Sequence, residues 1–206
     1  DGTRLALAAD AGLFVVDRDG RNARTVNHGL FKEFGSRGEA AEWSPEGTAL
    51  LFTAIDPFDL QDVFVLTLDG SAERNVSGPT LLARREAGDP TGIRARDASY
   101  SPDGTRMAYM RTGFGDGPIC VIADSDGDRS MPLAGAYGWY QPIWSPDGTK
   151  VVVTDDRPGP DNNEALPAVR VILDVAGSQP PIEIPAPGSS GESIPDWAAT
   201  WQRVAP

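Results

Sequence analysis

The sequence predicts an all-β chain folded as a β-propeller of four-stranded antiparallel blades. Three observations lead there. A short turn motif recurs along the chain, two apolar runs of strand length follow each copy, and no amphipathic helical pattern of ten or more residues occurs. Four strands repeated every 40 to 57 residues or so is the pattern of propeller blades.

The elements follow in order. Trp43-Ser44-Pro45-Glu46-Gly47-Thr48 recurs as Tyr100-Ser101-Pro102-Asp103-Gly104-Thr105 and as Trp144-Ser145-Pro146-Asp147-Gly148-Thr149, and Asp1-Gly2-Thr3 is the tail of a further copy. The turn glycines are spaced 45, 57 and 44 residues apart. Proline presets φ for the second turn position, Asp or Glu tolerates the third, and Gly supplies positive φ, so the chain reverses between two antiparallel strands. The first run after each copy is Leu5 to Ala8, Leu50 to Phe52, Met107 to Met110 and Val151 to Val153. The second is Leu13 to Val16, Val63 to Leu68, Ile119 to Ala123 and Val169 to Asp174. Asp-Gly pairs at 19–20, 69–70 and 126–127 then turn the chain into a last strand. Labelled a to d outward from the axis, the aromatic-Ser-Pro segment ends strand a. Trp43, Tyr100, Trp144 and Trp197 are read as inter-blade core.

Composition narrows the function. With 18 Lys+Arg against 30 Asp+Glu the net charge is −12, which argues against nucleic acid or an anionic membrane as partner. No apolar run reaches the ~20 residues of a membrane-spanning helix. One Cys and one His exclude a disulfide framework and multi-His or Cys-x-x-Cys metal sites. Gly and Pro make 41 of the 206 residues, and much of that sits in the repeated turns. There is no Gly-x-Ser-x-Gly elbow, no P-loop and no dinucleotide fingerprint, so the expectation is a chain that is not an enzyme. Cys120 lies in an apolar strand and is expected to be buried and inert.

The Trp/Tyr-Ser-Pro-Asp-Gly-Thr-Arg/Lys repeat followed by a β run resembles the TolB-like propeller repeat, over nearly the whole chain. That resemblance implies a bacterial, extracytoplasmic setting (periplasmic, cell-surface or secreted), either in an envelope role or as a sensor domain. It also bears on blade number, because such relatives usually have six blades.

The count itself leaves two readings. The N-terminus enters at strand b, and Ser193-Ile194-Pro195-Asp196-Trp197 aligns with Tyr140-Gln141-Pro142-Ile143-Trp144 as a spare strand a. The first reading is a closed four-bladed ring, with units of residues 1–38 plus 193–197, 39–95, 96–139 and 140–192. The alternative is a fragment of a six-bladed propeller.

The a–b and c–d turns are short, whereas the b–c and d–a connections on the other face are long and variable. Such elaboration marks a binding face on a rigid scaffold. Four candidates there would meet a protein or peptide partner through guanidinium forks: Arg84, Arg85, Arg94 and Arg96. Trp139 and Tyr140, near the channel mouth, could stack on a peptide or a glycan, and Phe58 and Phe114 stand in polar loops as possible anchors. Other readings are a small-ligand-binding propeller and the accessory propeller of a hydrolase. No cofactor is required; the one cation candidate is calcium at Asp124, Asp126 and Asp128, which lack the downstream Glu of an EF-hand loop.

Overall fold

The computed structural model describes residues 2–9, 12–26, 33–34, 41–55, 61–69, 72–77, 94–112, 118–137, 142–155, 169–184 and 201. Its regular elements among these residues are all β-strands, arranged as four antiparallel sheets in chain order. The first holds β1 (Arg4–Ala9), β2 (Gly12–Asp17) and β3 (Arg24–Thr25). The second holds β4 (Glu33–Phe34), β5 (Glu42–Trp43), β6 (Ala49–Ile55), β7 (Gln61–Thr67) and β8 (Glu73–Asn75). The third is β9 (Arg94–Tyr100), β10 (Arg106–Thr112), β11 (Ile119–Asp124) and β12 (Met131–Tyr137). The fourth is β13 (Ile143–Trp144), β14 (Lys150–Asp155), β15 (Val169–Asp174) and β16 (Ile182–Ile184).

The strands read as apolar runs because both faces of each middle blade are buried. Leu50, Phe52 and Ala54 of β6 pack with Leu13 and Val15 of the first blade, whereas Leu51, one residue out of phase, joins Tyr100, Met107 and Tyr109 of the third. β10 repeats the division: Met107 and Tyr109 face the second blade, and Ala108 and Met110 face Trp144, Val151 and Val153 of the fourth. A one-residue slip would exchange both faces, which fixes the register.

The a–b turns explain themselves. Ser101 Oγ accepts the Arg106 N–H (3.0 Å) and lies 2.6 Å from Asp103 Oδ1, which also accepts the N–H and hydroxyl of Thr105 at 3.1 and 2.9 Å. Ser145, Asp147 and Thr149 repeat this at 2.6 to 3.0 Å. These hydrogen bonds, the Ser hydroxyl first, hold both Asp103 and Asp147 down at about 2. A carboxylate lowered in the folded state stabilises above its unfolded pKa and loses that contribution as pH falls toward the folded one. Thermal stability is therefore expected to drop between about pH 4 and pH 2. In an Asp103→Asn/Asp147→Asn variant the same acid scan should be flatter. An unchanged slope would show that these turns do not govern acid sensitivity.

Two junctions between blades carry the same side-chain latch. Arg4 lies over the Trp43 ring at 5.2 Å and donates to the Gly47 carbonyl at 3.0 Å. Arg106 lies over Trp144 at 5.4 Å and donates to the Gly148 carbonyl at 2.8 Å. The repeated aromatic position is thus an inter-blade position at Trp43, Tyr100 and Trp144.

One feature differs from the sequence reading. Glu33 and Phe34, which that reading gave no strand, pair with Ile55 and Ala54, so the inner strand of the second blade comes in two pieces. Ring closure was assigned to residues 193–197, which lie outside the described residues. Trp201 is described, and its indole N–H donates to the Ile143 carbonyl at 3.2 Å, as that of Trp144 donates to Ser99 at 3.2 Å. Ile143 precedes Trp144 as Ser99 precedes Tyr100, so Trp201 meets the fourth blade as Trp144 meets the third. Among the described residues β1 is the edge strand of the first blade, and Leu5 and Leu7 are 52% and 51% exposed.

Candidate functional site

The inner strands of three consecutive blades, β5, β9 and β13, meet around a cavity of about 370 Å³. Glu42 enters from the second blade, Ser99 and Tyr100 from the third, and Ile143 and Trp144 from the fourth; Pro45, Pro102 and Pro142 complete the wall. Pro45, Ser101 and Pro102 belong to the a–b turns, so the cavity lies at the short-turn end of the inner strands. The sequence placed function at the opposite, long-loop end.

The walls are stiff. Proline removes backbone freedom at three points, Ser99 Oγ donates to the Pro142 carbonyl at 2.7 Å, and the Trp144 indole ties back to Ser99. Glu42 is the acidic group of the site. Its Oε1 accepts the Tyr100 N–H at 3.1 Å, and burial outweighs that bond and raises its carboxyl to about 7. Near neutral pH this group is divided between a proton donor and an anion. The Tyr100 hydroxyl is pushed up to about 12, first by burial and then by Glu42 and Glu46, with Arg74 acting the other way.

The predicted candidates fall into two groups. Arg84, Arg85, Trp139, Tyr140, Phe58 and Phe114 lie outside the described residues. Arg94 and Arg96, expected in a loop, instead open β9. Arg94 is exposed; Arg96 is partly buried and pairs with Asp97, Nε to Oδ2, at 3.3 Å. Asp97 has φ +55, at the point where the pairing of β9 with β10 shifts register between Ala108 and Met110. A bulge with positive φ at a non-glycine residue re-aims the flanking side chains. The Asp97 N–H donates to Thr53 Oγ1 at 3.2 Å, which anchors the bulge on the second blade. One strand, β9, therefore carries an arginine-bearing end and, through Tyr100, the cavity end.

At the calcium candidate the carboxylates of Asp124 and Asp126 have protein partners. Asp124 Oδ2 accepts Nε and a terminal NH2 of Arg129 at 2.7 and 2.6 Å, and Asp126 Oδ1 accepts the Asp128 N–H at 3.0 Å. Among the described residues no three His, Cys, Asp or Glu side chains gather as a metal-binding group. Cys120 is fully buried, and burial pushes its thiol up to about 12.

Glu42 was missed because it reads as one acid among many in an acidic chain. Its place immediately before Trp43, on the inner strand, was the available signal.

No family model matches the chain. Over 62 residues it is 36% identical to an uncharacterized peptidase YuxL of Bacillus subtilis (strain 168), a match covering 30% of this chain and 9% of that protein. TolB from Acinetobacter baumannii is similar in structure, with a TM-score of 0.62, 16% identity, and coverage of 86% of this chain and 39% of that one. A protein described as TolB from Agrobacterium tumefaciens gives 0.63 and 18%, covering 89% of this chain and 61% of that one. A puromycin-hydrolyzing peptidase of Mycobacterium tuberculosis gives 0.55 and 15%, covering 89% and 29%. The chain thus spans less than two thirds of each of these proteins. The structural likenesses establish a β-propeller fold, shared by TolB-like and peptidase-associated domains.

Proposed function

We propose that this chain is a non-enzymatic recognition propeller that binds a protein or peptide partner outside the cytoplasm. The observation that carries the proposal is the cavity between three inner strands. It has aromatic and proline walls and one poised carboxyl, Glu42, and such stiff apolar pockets with few polar groups suit the capture of a side chain. The likeness to TolB-like propellers supports the partner class and the extracytoplasmic setting. A second reading, an accessory propeller of a hydrolase, draws on the peptidase match and on the peptidase propellers among the structural neighbours.

Panning a random dodecapeptide library against the purified chain tests the first reading. Selected peptides should share a motif, bind with dissociation constants of roughly micromolar order, and shift the Trp144 indole N–H resonance. Failure to select any peptide above background would count against it. An immunoblot of the source cells, reading the size of the native polypeptide, separates the two: a product long enough for an added hydrolase domain favours the second.

A further inference from the structure

The blade junctions are internally repeated, so they can be compared with one another. At the first-to-second and third-to-fourth junctions the residue two after the turn glycine is arginine (Arg4, Arg106). It covers the next blade's tryptophan and donates to that blade's turn glycine. The molecule thus shows twice what this geometry selects: a guanidinium held by a ring face and a backbone carbonyl.

The second-to-third junction departs from the pattern at three positions. Ala49 stands where the others have Arg4 and Arg106, so the position that supplies a cation elsewhere supplies a methyl group here. The ring is Tyr100 instead of tryptophan. The turn acid is Glu46, longer than Asp103 and Asp147. It is directed across the junction: its Oε1 lies 2.8 Å from where a Cβ on Gly104 would stand. Glu42 accepts the backbone N–H of the same tyrosine and shares the cavity wall with it. The charges that reach the Tyr100 hydroxyl are Glu42, Glu46 and the exposed Arg74, two negative against one positive. Where its neighbours each hold an arginine of their own, this junction has an aromatic ring, two carboxylates and an adjoining open cavity of about 370 Å³.

We propose that the cavity beside Tyr100 receives a guanidinium side chain, an arginine of the partner, against the Glu42 carboxylate and beside an aromatic ring, as Arg4 and Arg106 lie over theirs at the other junctions. This rests on the partner-binding reading and specifies its chemistry. Charge complementarity selects the occupant: the protein carries a net charge of −12, and Glu42 places a carboxylate in the cavity wall. A charge-assisted contact of a guanidinium with a partly buried carboxylate is worth more than the same contact in open water.

The test uses N-acetyl-L-arginine amide and its uncharged counterpart, N-acetyl-L-citrulline amide, titrated into the chain while the Trp144 indole N–H resonance is followed. The arginine probe should shift it saturably and bind about tenfold or more tighter than citrulline. Glu42→Gln keeps an oxygen for the Tyr100 N–H and removes the charge, so it should erase that preference. Ala49→Arg supplies the missing intrachain guanidinium and should weaken the arginine probe about as much. Because Glu42 loses its proton around pH 7, binding should strengthen from pH 6 to pH 8 in the parent chain and stay flat in Glu42→Gln.

Equal binding of the two probes, or a preference that survives Glu42→Gln, overturns the proposal. Thermal melts of both variants guard against simple misfolding. The two readings fail separately. Library peptides that bind without a basic residue and ignore Glu42→Gln would remove this inference and leave partner binding standing. An arginine response with no selectable peptide would keep a guanidinium site in the cavity and count against a peptide partner as its source.

Discussion

Replacing Gly127 by alanine is expected to lower stability by about 3 kcal/mol and the melting temperature by roughly 6–12 °C. Two effects combine. Gly127 has φ +88, a region that side chains with a Cβ rarely adopt. An added Cβ would also stand 2.6 Å from the Val76 carbonyl oxygen and 2.9 Å from its Cα, both of them backbone. A flexible side chain could move aside, but Val76 cannot do so cheaply. It is fully buried in the cluster between the second and third blades, and its N–H is bonded to the Val63 carbonyl at 2.8 Å. The clash therefore propagates into that junction.

Gly177 provides the control. It occupies the matching position of the next c–d turn with φ +66, and nothing lies within 4 Å of its added Cβ. Gly177→Ala should cost about 1 kcal/mol, the conformational part alone. Thermal melts of the pair separate strain from collision. Equal losses at the two sites would mean that the approach to Val76 carries no energy.

The contrast between these two turns also shows where sequence reading succeeds and where it stops. Asp-Ser-Asp-Gly at 124–127 announces a turn by its chemistry, as do the three Ser-Pro-Asp/Glu-Gly segments. The paired apolar runs announce strands buried on both faces. Those signals are local and sufficed for the fold class. They could not announce that Gly127 presses on a neighbouring blade, because that contact joins residues 51 positions apart.

The site was less legible for similar reasons. Residues 94–100 read Arg-Ala-Arg-Asp-Ala-Ser-Tyr, too polar and too small to look like a buried strand. Yet Ala95, Ala98 and Ser99 are buried there, where small side chains suit the close approach of other elements. The bulge at Asp97 further breaks the period-2 pattern. The latches were legible in principle: arginine after the turn accompanies tryptophan in the next blade, whereas Ala49 accompanies Tyr100. That pairing becomes meaningful only once the blades are known to pack in chain order. Of the arginines singled out on the long-loop face, Arg94 and Arg96 are placed by the structure, on the strand that ends in the cavity.

Asp62 carries the other large effect. It is fully buried on β7, and its two oxygens are used: Oδ2 accepts Asn75 Nδ2 at 2.6 Å and Oδ1 lies 3.0 Å from Ser77 Oγ. Ser77 Oγ also accepts the Val63 N–H at 3.4 Å, and the Ser77 N–H donates to Asn75 Oδ1 at 3.2 Å. The group is a closed polar knot beside Val63, Val76 and Tyr109, in the cluster where the second and third blades meet. Asp62→Ala should cost about 3 kcal/mol, because the Asn75 amide loses its acceptor and the Ser77 hydroxyl loses one of its partners where water cannot easily replace them. Asp62→Asn should cost less, since one acceptor oxygen remains, although its amide hydrogens then face the Asn75 or Ser77 donor. Ser77→Ala should cost about 1 kcal/mol by itself. The decisive quantity is the coupling in Asp62→Ala/Ser77→Ala, measured by denaturant unfolding. Residues of one knot should show a coupling of at least about 0.5 kcal/mol, because the second substitution removes a group the first has already left with fewer partners. Additive losses would show that Asp62 acts alone, and would shift the stability of this junction onto its apolar packing.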